Sequence, residues 1–563
     1  MNKVNGAKAI VECLLNENVN VVFGVPGTHI LPLYDALASS GKINHILCTH
    51  ELGAGFMADG YGRVSGKPGV LISTAGPGAT NTVTAVAQAF VEGAPLILIA
   101  GGVSTRYFGK GQYHELRNFE DQLKIFEPVT KLAIKVKNVE EIPISISKAF
   151  AKSVEGKPGP IYIEVPIDVL ISEGVFHEYQ RTTPKLVEPD KELVKKTINL
   201  ISSAKSPVIF AGGGIISSNT SGDLVELAEI VGAPVVTSIM GKGSISPDHP
   251  LYAGVANGNM GDELALKIVE ESDLMLALGT RFSELGTGRW SLKVPETIIH
   301  VNIDENIFNK VYPATLAIKS DLRPFLKTII KHLKARFLEK KIKRGVERIM
   351  KLREHVVEYP EMGYSEQRIN YSDIIKALEK IVNNNTIVTC DAGWNQVALF
   401  QLKVYRPRSF LSPCGFNSLG YAIPAAVGAK IAKPSAEVIA TVGDFGFLST
   451  CIELATAVRV RANILTLIFN NGCQGVLTFH QKRFYGRTFA TETHSVNFSK
   501  LAEAIGVGYI EITRREELSS GMEEGLQESM KRPVMVNIHV NPDALPQAIS
   551  RLAFRESLLK SSK

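Results

Sequence analysis

Short apolar, often β-branched runs alternate along the chain with stretches in which apolar residues recur at helical spacing. Over residues 1–180 the runs are Val19–Phe23, Ile43–Cys48, Gly69–Ser73, Pro95–Ala100 and Pro160–Val165. Runs that are apolar throughout, with amphipathic helices between them, predict strands covered on both faces, hence an α/β domain with a mainly parallel sheet. The rhythm repeats over 190–335 in Pro207–Gly214, Ala233–Thr237, Leu274–Gly279 and Ile298–Ile303. It returns over 363–545 in Thr386–Thr389, Glu437–Val442, Ile464–Asn470 and Val534–Val540. Between the last two units, 336–362 is a charged helical pattern with no strand, read as a connector, and 546–563 reads as a polar C-terminal tail.

The length of 563 residues accommodates three such domains, and 45% apolar with 21% charged residues is the composition of a chain that folds throughout. Sixty-two basic against 56 acidic residues leave a net charge of only +6, too thin for a dedicated nucleic-acid surface. A small-molecule partner is expected instead. Apolar runs such as Pro95–Ala100 fall well short of the roughly 18 residues of a membrane span, and the N-terminus lacks the apolar core of a signal peptide, so no membrane partner and a cytoplasmic location are expected. Six cysteines are scattered singly, with neither a C-x-x-C pair nor zinc-site spacing. No strict G-x-G-x-x-G, Walker loop or H-E-x-x-H is present.

One spacing carries chemistry. The strand pattern Glu437–Gly443 ends on Asp444, a helical pattern follows, and a second strand pattern ends on Asn470-Asn471. In a right-handed β-α-β unit these strands run parallel, and as neighbours about 4.8 Å apart they would bring Asp444 and Asn471 side by side. A carboxylate, an amide oxygen and a backbone carbonyl form a hard-oxygen set for magnesium or calcium, with ligand phosphates completing the shell. Alternatively, Asp444 only caps its helix and Asn471 only makes a turn.

Gly443-Asp444 followed by Asn470-Asn471, with 27 residues from the acid to the last asparagine, resembles the thiamine-diphosphate fingerprint, and Glu453-Leu-Ala-Thr456 matches its acetolactate synthase version. The resemblance extends to Gly24-Val-Pro-Gly27, His50-Glu51, Ala58–Arg63, Thr74–Asn81, Gly279–Phe282 and Gly420–Ala426. The chain thus resembles the superfamily of acetolactate synthases, benzaldehyde lyases and 2-oxo acid decarboxylases, and most closely the acetolactate synthase catalytic subunits. The resemblance implies three doubly wound domains: pyrimidine-binding (1–180), middle Rossmann-like (190–335) and diphosphate-binding (363–545). It also implies at least a homodimer, as a dimer or a dimer of dimers, and allows a regulatory subunit.

By the same resemblance Glu51, at a strand-to-helix junction, is the carboxylate that shares a proton with the cofactor's aminopyrimidine so that thiazolium C2 can be deprotonated. Asp444, Asn471 and the Cys473 carbonyl would hold Mg2+. Leu419 would be the apolar wedge beneath the two rings and Asn417 would offer its carbonyl to the 4′-amino group. Gly393, Trp394 and Asn395 are expected against the diphosphate, as are Gly443, Phe445 and Gly446, and the run Gln474-Gly475-Val476. Gly27, Pro77 and Asn81 complete the cofactor contacts. The sequence departs from the pattern in having Trp394-Asn395 where acetolactate synthases have Gln-His, and Phe445 where the fingerprint has a second glycine. That Phe implies a reshaped turn, with Gly446 restoring the lost freedom.

The pocket residues that would choose the reaction are Thr28, His29, His114, Gln122 and His480. Thr28-His29 looks more like benzaldehyde lyase and Phe119–Gln122, with Pro128–Lys131, more like benzaldehyde lyase and the catabolic acetolactate synthases, whereas Arg483-Phe-Tyr485 looks like biosynthetic acetolactate synthase. Decarboxylation of a 2-oxo acid such as pyruvate and ligation to a second carbonyl leads, with a 2-oxo acid decarboxylase, a 2-hydroxy-acyl lyase and a non-catalytic assembly subunit as alternatives. In the middle domain Gly279–Phe282 and Val301–Asp304 resemble a flavin-binding edge, but Ser283 and Leu285 replace an acid and an arginine. FAD is therefore a possible cofactor and a nucleotide-only or vestigial site the alternative.

Overall fold

The computed structural model describes residues 3–176, 178–337, 339–357, 359–493 and 495–561. Positions 338 and 358 of the connector and 562–563 of the tail lie outside them. Three six-stranded sheets, all of whose strand pairs are parallel, carry the chain. In spatial order the first comprises Asn44–Leu47, Val21–Gly24, Gly69–Ser73, Leu96–Gly102, Pro160–Pro166 and Leu132–Lys135. The second comprises Tyr252–Val255, Val235–Thr237, Pro207–Ala211, Leu274–Leu278, Thr297–Asn302 and Leu316–Lys319. The third comprises Phe410–Leu411, Thr386–Cys390, Glu437–Gly443, Leu465–Asn470, Val534–His539 and Gly508–Ile512. A small antiparallel pair, Lys3–Asn5 with Glu173–Val175, closes the first domain.

Numbered in chain order, the strands of the first and third sheets both run 2-1-3-4-6-5, and those of the middle sheet run 3-2-1-4-5-6, the dinucleotide-fold order. Each sheet reverses its strand order next to its first strand, and the carboxyl ends at such a reversal open a crevice for ligands. Three crevices follow: at Gly24 and Ser73, at Ala211 and Leu278, and at Cys390 and Gly443.

The first and third domains share a core. Helix Glu51–Ser65 lies on helix Ala422–Ala432, and Phe56, Met57 and Ala58 join Ile423, Ala426 and Val427 in one buried cluster. Two glycines permit the crossing. A Cβ on Gly428 would sit 2.7 Å from the Met57 carbonyl carbon, and one on Gly60 would sit 2.9 Å from the Ala425 Cα.

The stretch read as a charged helical connector contains helix Ile342–Arg353, which is docked on the middle domain. Arg348 donates to the Pro207 carbonyl at 3.1 Å and the Ile268 carbonyl at 2.7 Å, and Ile349 and Leu352 are buried beside Val208 and Phe210. The tail is likewise helical over Gln547–Ser561, where Ser550 is buried and Arg555 donates to the Asn259 carbonyl at 2.7 Å. The charges that suggested linkers pair with carbonyls and acids of the middle domain. No described helix is long and apolar enough to cross a membrane.

Candidate active site

The crevice of the third sheet is built first. Strands Glu437–Gly443 and Leu465–Asn470 are parallel neighbours, with Gly443 opposite Phe469, so Asp444 and Asn471 leave adjacent strand ends. Asp444 begins helix Asp444–Thr450 and is 4% exposed. Burial pushes its carboxyl pKa up, against the Thr493 hydroxyl, which donates at 2.8 Å, and nearby backbone N–H groups that pull it down. Asn471 Oδ1 accepts the Cys473 N–H at 3.3 Å, and its Nδ2 donates to the Tyr371 hydroxyl at 3.4 Å. Burial raises the Cys473 thiol, which keeps it protonated, so a hard cation would meet the backbone carbonyl of that residue and not its sulfur.

The neighbouring strand end supplies an anion cradle. Gly393, at φ 121°, precedes helix Trp394–Ala398, and Gly443 precedes helix Asp444–Thr450. Both helix starts carry backbone N–H groups without intrahelical partners. Among the described residues other than its chain neighbours, only Asn395 Oδ1, 3.6 Å away, comes within 4 Å of where a Gly443 Cβ would be, which leaves the backbone open to a diphosphate. This donor set, one carboxylate and one amide beside two glycine-capped helix starts, suits a metal diphosphate.

Asn395 and Trp394 also make contacts within the protein. Asn395 is buried, and its amide donates to the Asp391 carbonyl at 2.8 Å. Trp394 packs against Phe479 at 5.7 Å between ring centres and against Gly475, holding helix Gly475–Tyr485 to the crevice. Gln474 bonds the Thr491 carbonyl at 2.8 Å through its backbone, and Val476 lies at the edge of the apolar core. Phe445 is 41% exposed, and Gly446 sits where a Cβ would come 2.9 Å from Asp391 Oδ1.

Asp391 was not foreseen. Fully buried, it accepts the Gly420 and Ala422 N–H groups at 2.9 Å each, and burial pushes its pKa up to about 7. It thereby fixes the end of the segment bearing Asn417 and Leu419. Asn417 has φ 63°, and Leu419 is 38% exposed beside exposed Phe416. The signal was available: Asp391 ends a strand pattern as Asp444 does.

In the first sheet's crevice Glu51 opens helix Glu51–Ser65 and its Oε2 accepts the Asn81 amide at 3.0 Å. Pro77 starts the short helix Pro77–Thr80 behind Gly76, at φ 60°. Gly27 abuts the Thr74 side chain, Thr28 is exposed, and the His29 N–H donates to Thr74 Oγ1 at 3.2 Å. The His29 and His114 rings lie 5.0 Å apart with Tyr113 stacked on both, and their Nδ1 atoms are buried without a partner among the described residues. Burial lowers the pKa of both, and His114 lowers that of His29 further. Gln122 is spent on the fold: its amide oxygen accepts the Gly76 N–H at 2.8 Å, and its nitrogen donates to the Gly101 carbonyl and the Tyr162 hydroxyl. His480 is not in this group. It stacks on Phe484 at 5.7 Å, and burial, then Arg289 and Arg483, lower its pKa.

The middle sheet's crevice opens into a cavity of about 290 Å³, lined by Gly213, Gly214, Arg281, Asp304, Lys157 and Arg408 among others. Ser283 lines it too; its hydroxyl accepts the Gly286 N–H at 3.3 Å.

Three family models match in chain order: thiamine pyrophosphate enzyme N-terminal TPP binding domain over residues 4–125, central domain over 194–329, and C-terminal TPP binding domain over 391–538. The chain belongs to the thiamine pyrophosphate enzyme family, and it is a thiamine-diphosphate-dependent enzyme. Among its relatives, the probable acetolactate synthase large subunit of Methanocaldococcus jannaschii is 37% identical over 96% of this chain and 93% of that one. The mitochondrial acetolactate synthase catalytic subunit of Saccharomyces cerevisiae is 34% identical over 96% and 81%, and the large subunit of Corynebacterium glutamicum 34% over 96% and 88%.

Proposed function

We propose that the chain decarboxylates a 2-oxo acid such as pyruvate and joins the remaining fragment to a second carbonyl compound, as an acetolactate-synthase-like enzyme. The observation that carries this reading is the adjacency of Asp444 and Asn471 at paired strand ends, beside the glycine-capped helix starts at 393 and 443. Bound thiamine diphosphate supplies the electron sink for breaking and making the carbon–carbon bonds. The protein's part is to hold and to position. Asp444, Asn471 and the Cys473 carbonyl hold Mg2+ on the diphosphate. Gly393, Gly443 and Gly446 admit the phosphates, while Trp394 and Asn395 brace that crevice from behind. Glu51 holds a proton at the pyrimidine ring, and Leu419 and Asn417 set the cofactor's bend. His29 and His114 present neutral rings toward the carbonyl acceptor, with Thr28 at their edge and Gln122 fixing the Gly76 turn beneath them.

The exposed apolar side chains Phe416, Leu419 and Phe445 support a homodimer or a dimer of dimers in which a second copy covers the site. The middle-domain cavity, with its glycines and cations, supports a flavin nucleotide there. The relatives' names as large or catalytic subunits support a separate regulatory chain, and a cytoplasmic location is part of the same reading.

The deciding experiment offers purified chain, thiamine diphosphate and magnesium a panel of 2-oxo acids and aldehydes. Acetolactate from pyruvate is expected. Acetaldehyde alone would establish a decarboxylase, cleavage of 2-hydroxy ketones a lyase, and absence of cofactor binding by calorimetry an assembly subunit. Visible absorbance released on denaturation reports the flavin.

A further inference from the structure

We propose that Gln88 and Glu92 of the first domain are positioning residues that set the pose of the loop bearing Asn417 and Leu419 in the same chain. The inference rests on the reading of that loop as the seat of the cofactor's two rings.

Helix Val83–Glu92 presents both side chains to the loop's backbone, across more than 300 positions of sequence. Gln88 is fully buried, and its Oε1 accepts the Ser418 N–H at 3.2 Å. Glu92 Oε1 accepts the Gly415 N–H. Only 2% of the Glu92 side chain is exposed, and Arg281 of the middle domain stands 3.8 Å from its Oε1 while donating to the Val91 carbonyl at 2.7 Å. Gly415 is exposed, but the side on which a Cβ would project is filled by this group: a Cβ there would lie 2.7 Å from Val91 Cγ1 and closer still to Arg281 and Glu92.

The ends of the loop are gripped in the same way. Arg63 donates to the Ser412 carbonyl at 3.0 Å and to the Tyr421 hydroxyl at 2.8 Å, and that hydroxyl donates to Asp59 at 2.5 Å. Anchors thus fall at 412, 415, 418 and 421, every third residue, and all reach across from the first domain. Between them Phe416, Asn417 and Leu419 remain exposed. A loop pinned at that period has little freedom to turn Leu419 or the Asn417 carbonyl away. The first domain therefore does two jobs, offering Glu51 from one crevice and shaping the diphosphate domain's loop from its outer helix. Because Arg281 also lines the 290 Å³ cavity, the middle domain shares the grip.

Misplacing a positioned group by about 1 Å costs on the order of 10²-fold in rate. Glu92→Ala is therefore expected to slow exchange of the bound cofactor's C2 proton with deuterated water by about 10- to 100-fold, with cofactor affinity changed much less. Glu92→Gln keeps an oxygen for the Gly415 N–H while losing the charge, and is expected to retain most of the exchange rate. Gln88→Ala tests the second anchor should Glu92→Ala fail to fold. In combination with Leu419→Ala, either alanine variant should add little further loss, because both act through one loop. Wild-type exchange in both single variants, or strictly additive losses with Leu419→Ala, overturns the proposal. Equal slowing in Glu92→Gln and Glu92→Ala also overturns it, by assigning the effect to charge. A wild-type enzyme that neither binds the cofactor nor exchanges the proton overturns the functional reading itself, which separates the two failures.

Discussion

Glu453 and His50 are 403 positions apart, yet the Glu453 carboxylate accepts the His50 N–H at 3.0 Å and the Thr49 N–H at 3.2 Å. Thr456 donates to the same carboxylate at 2.7 Å, and the group is almost fully buried. The residue next in line after His50 is Glu51, so the diphosphate domain fixes the junction from which Glu51 projects. A Cβ on Gly53 would collide with Glu453, which explains a glycine in the first turn of that helix.

Replacing Glu51 with Gln keeps the length of the side chain and a carbonyl oxygen for the Asn81 amide but removes the acid. General acid–base contributions are about 10²–10⁴-fold in rate, so turnover and C2-proton exchange should fall by that order while calorimetric cofactor affinity changes little. Exchange at the wild-type rate would remove Glu51 from the mechanism.

Asp391 titrates at about 7 in the folded chain against an ordinary value near 3.9. Between those values the folded state holds the extra proton, so stability falls as pH rises from about 4 to about 7. Asp391→Asn removes that contribution to the slope. It also turns an amide N–H toward Gly420 or Ala422, at a cost of about 1–3 kcal/mol for an unmade bond. The variant's urea midpoints should be flatter across that pH range and below wild type at its acid end; a slope equal to wild type would refute the assignment.

His29 and His114 have lowered pKa values, so both are neutral at pH 7 and remain so below the ordinary histidine value near 6.5. The unfolded chain takes up protons first as pH falls, so these groups lose stability on the acid side. If neutral His29 is required, the acid limb of kcat/KM lies below 6.5. His114→Ala removes a neighbour that depresses the pKa of His29 and opens its surroundings, so the limb should move upward. A limb that stays in place would exclude His29 as its origin.

In an exposed helix interior Gly→Ala is worth about 1 kcal/mol of stabilisation. At Gly428 the added Cβ would lie 2.7 Å from the Met57 carbonyl carbon, and overpacking typically costs about 1–3 kcal/mol. Gly428→Ala should therefore lower the unfolding midpoint and loosen the seam between the first and third domains. An unchanged or raised midpoint would show that the crossing has slack.

The hydrophobic pattern alone determined the three α/β units and the places of their buried strands along the chain, because strands covered on both faces are apolar throughout and helices repeat every 3.6 residues. The strands of the three large sheets that it left out, Leu132–Lys135, Tyr252–Val255, Leu316–Lys319, Phe410–Leu411 and Gly508–Ile512, all lie at sheet edges. There, one covered side and a short length leave little signal. Spacing likewise brought Asp444 and Asn471 together, since neighbouring parallel strands end side by side. Only the tertiary structure decided what the polar residues do. Gln122 is spent on two backbone groups and the Tyr162 hydroxyl, the Asn395 amide nitrogen holds a backbone carbonyl, Asp391 and Glu453 prove to be buried braces, and Gln88, Glu92 and Arg281 meet one loop from two domains. Local sequence sets which groups a strand end or loop offers, whereas the partner that satisfies a buried group comes from another element, 29 positions away for Asp391 and 330 for Gln88, where no local period reaches.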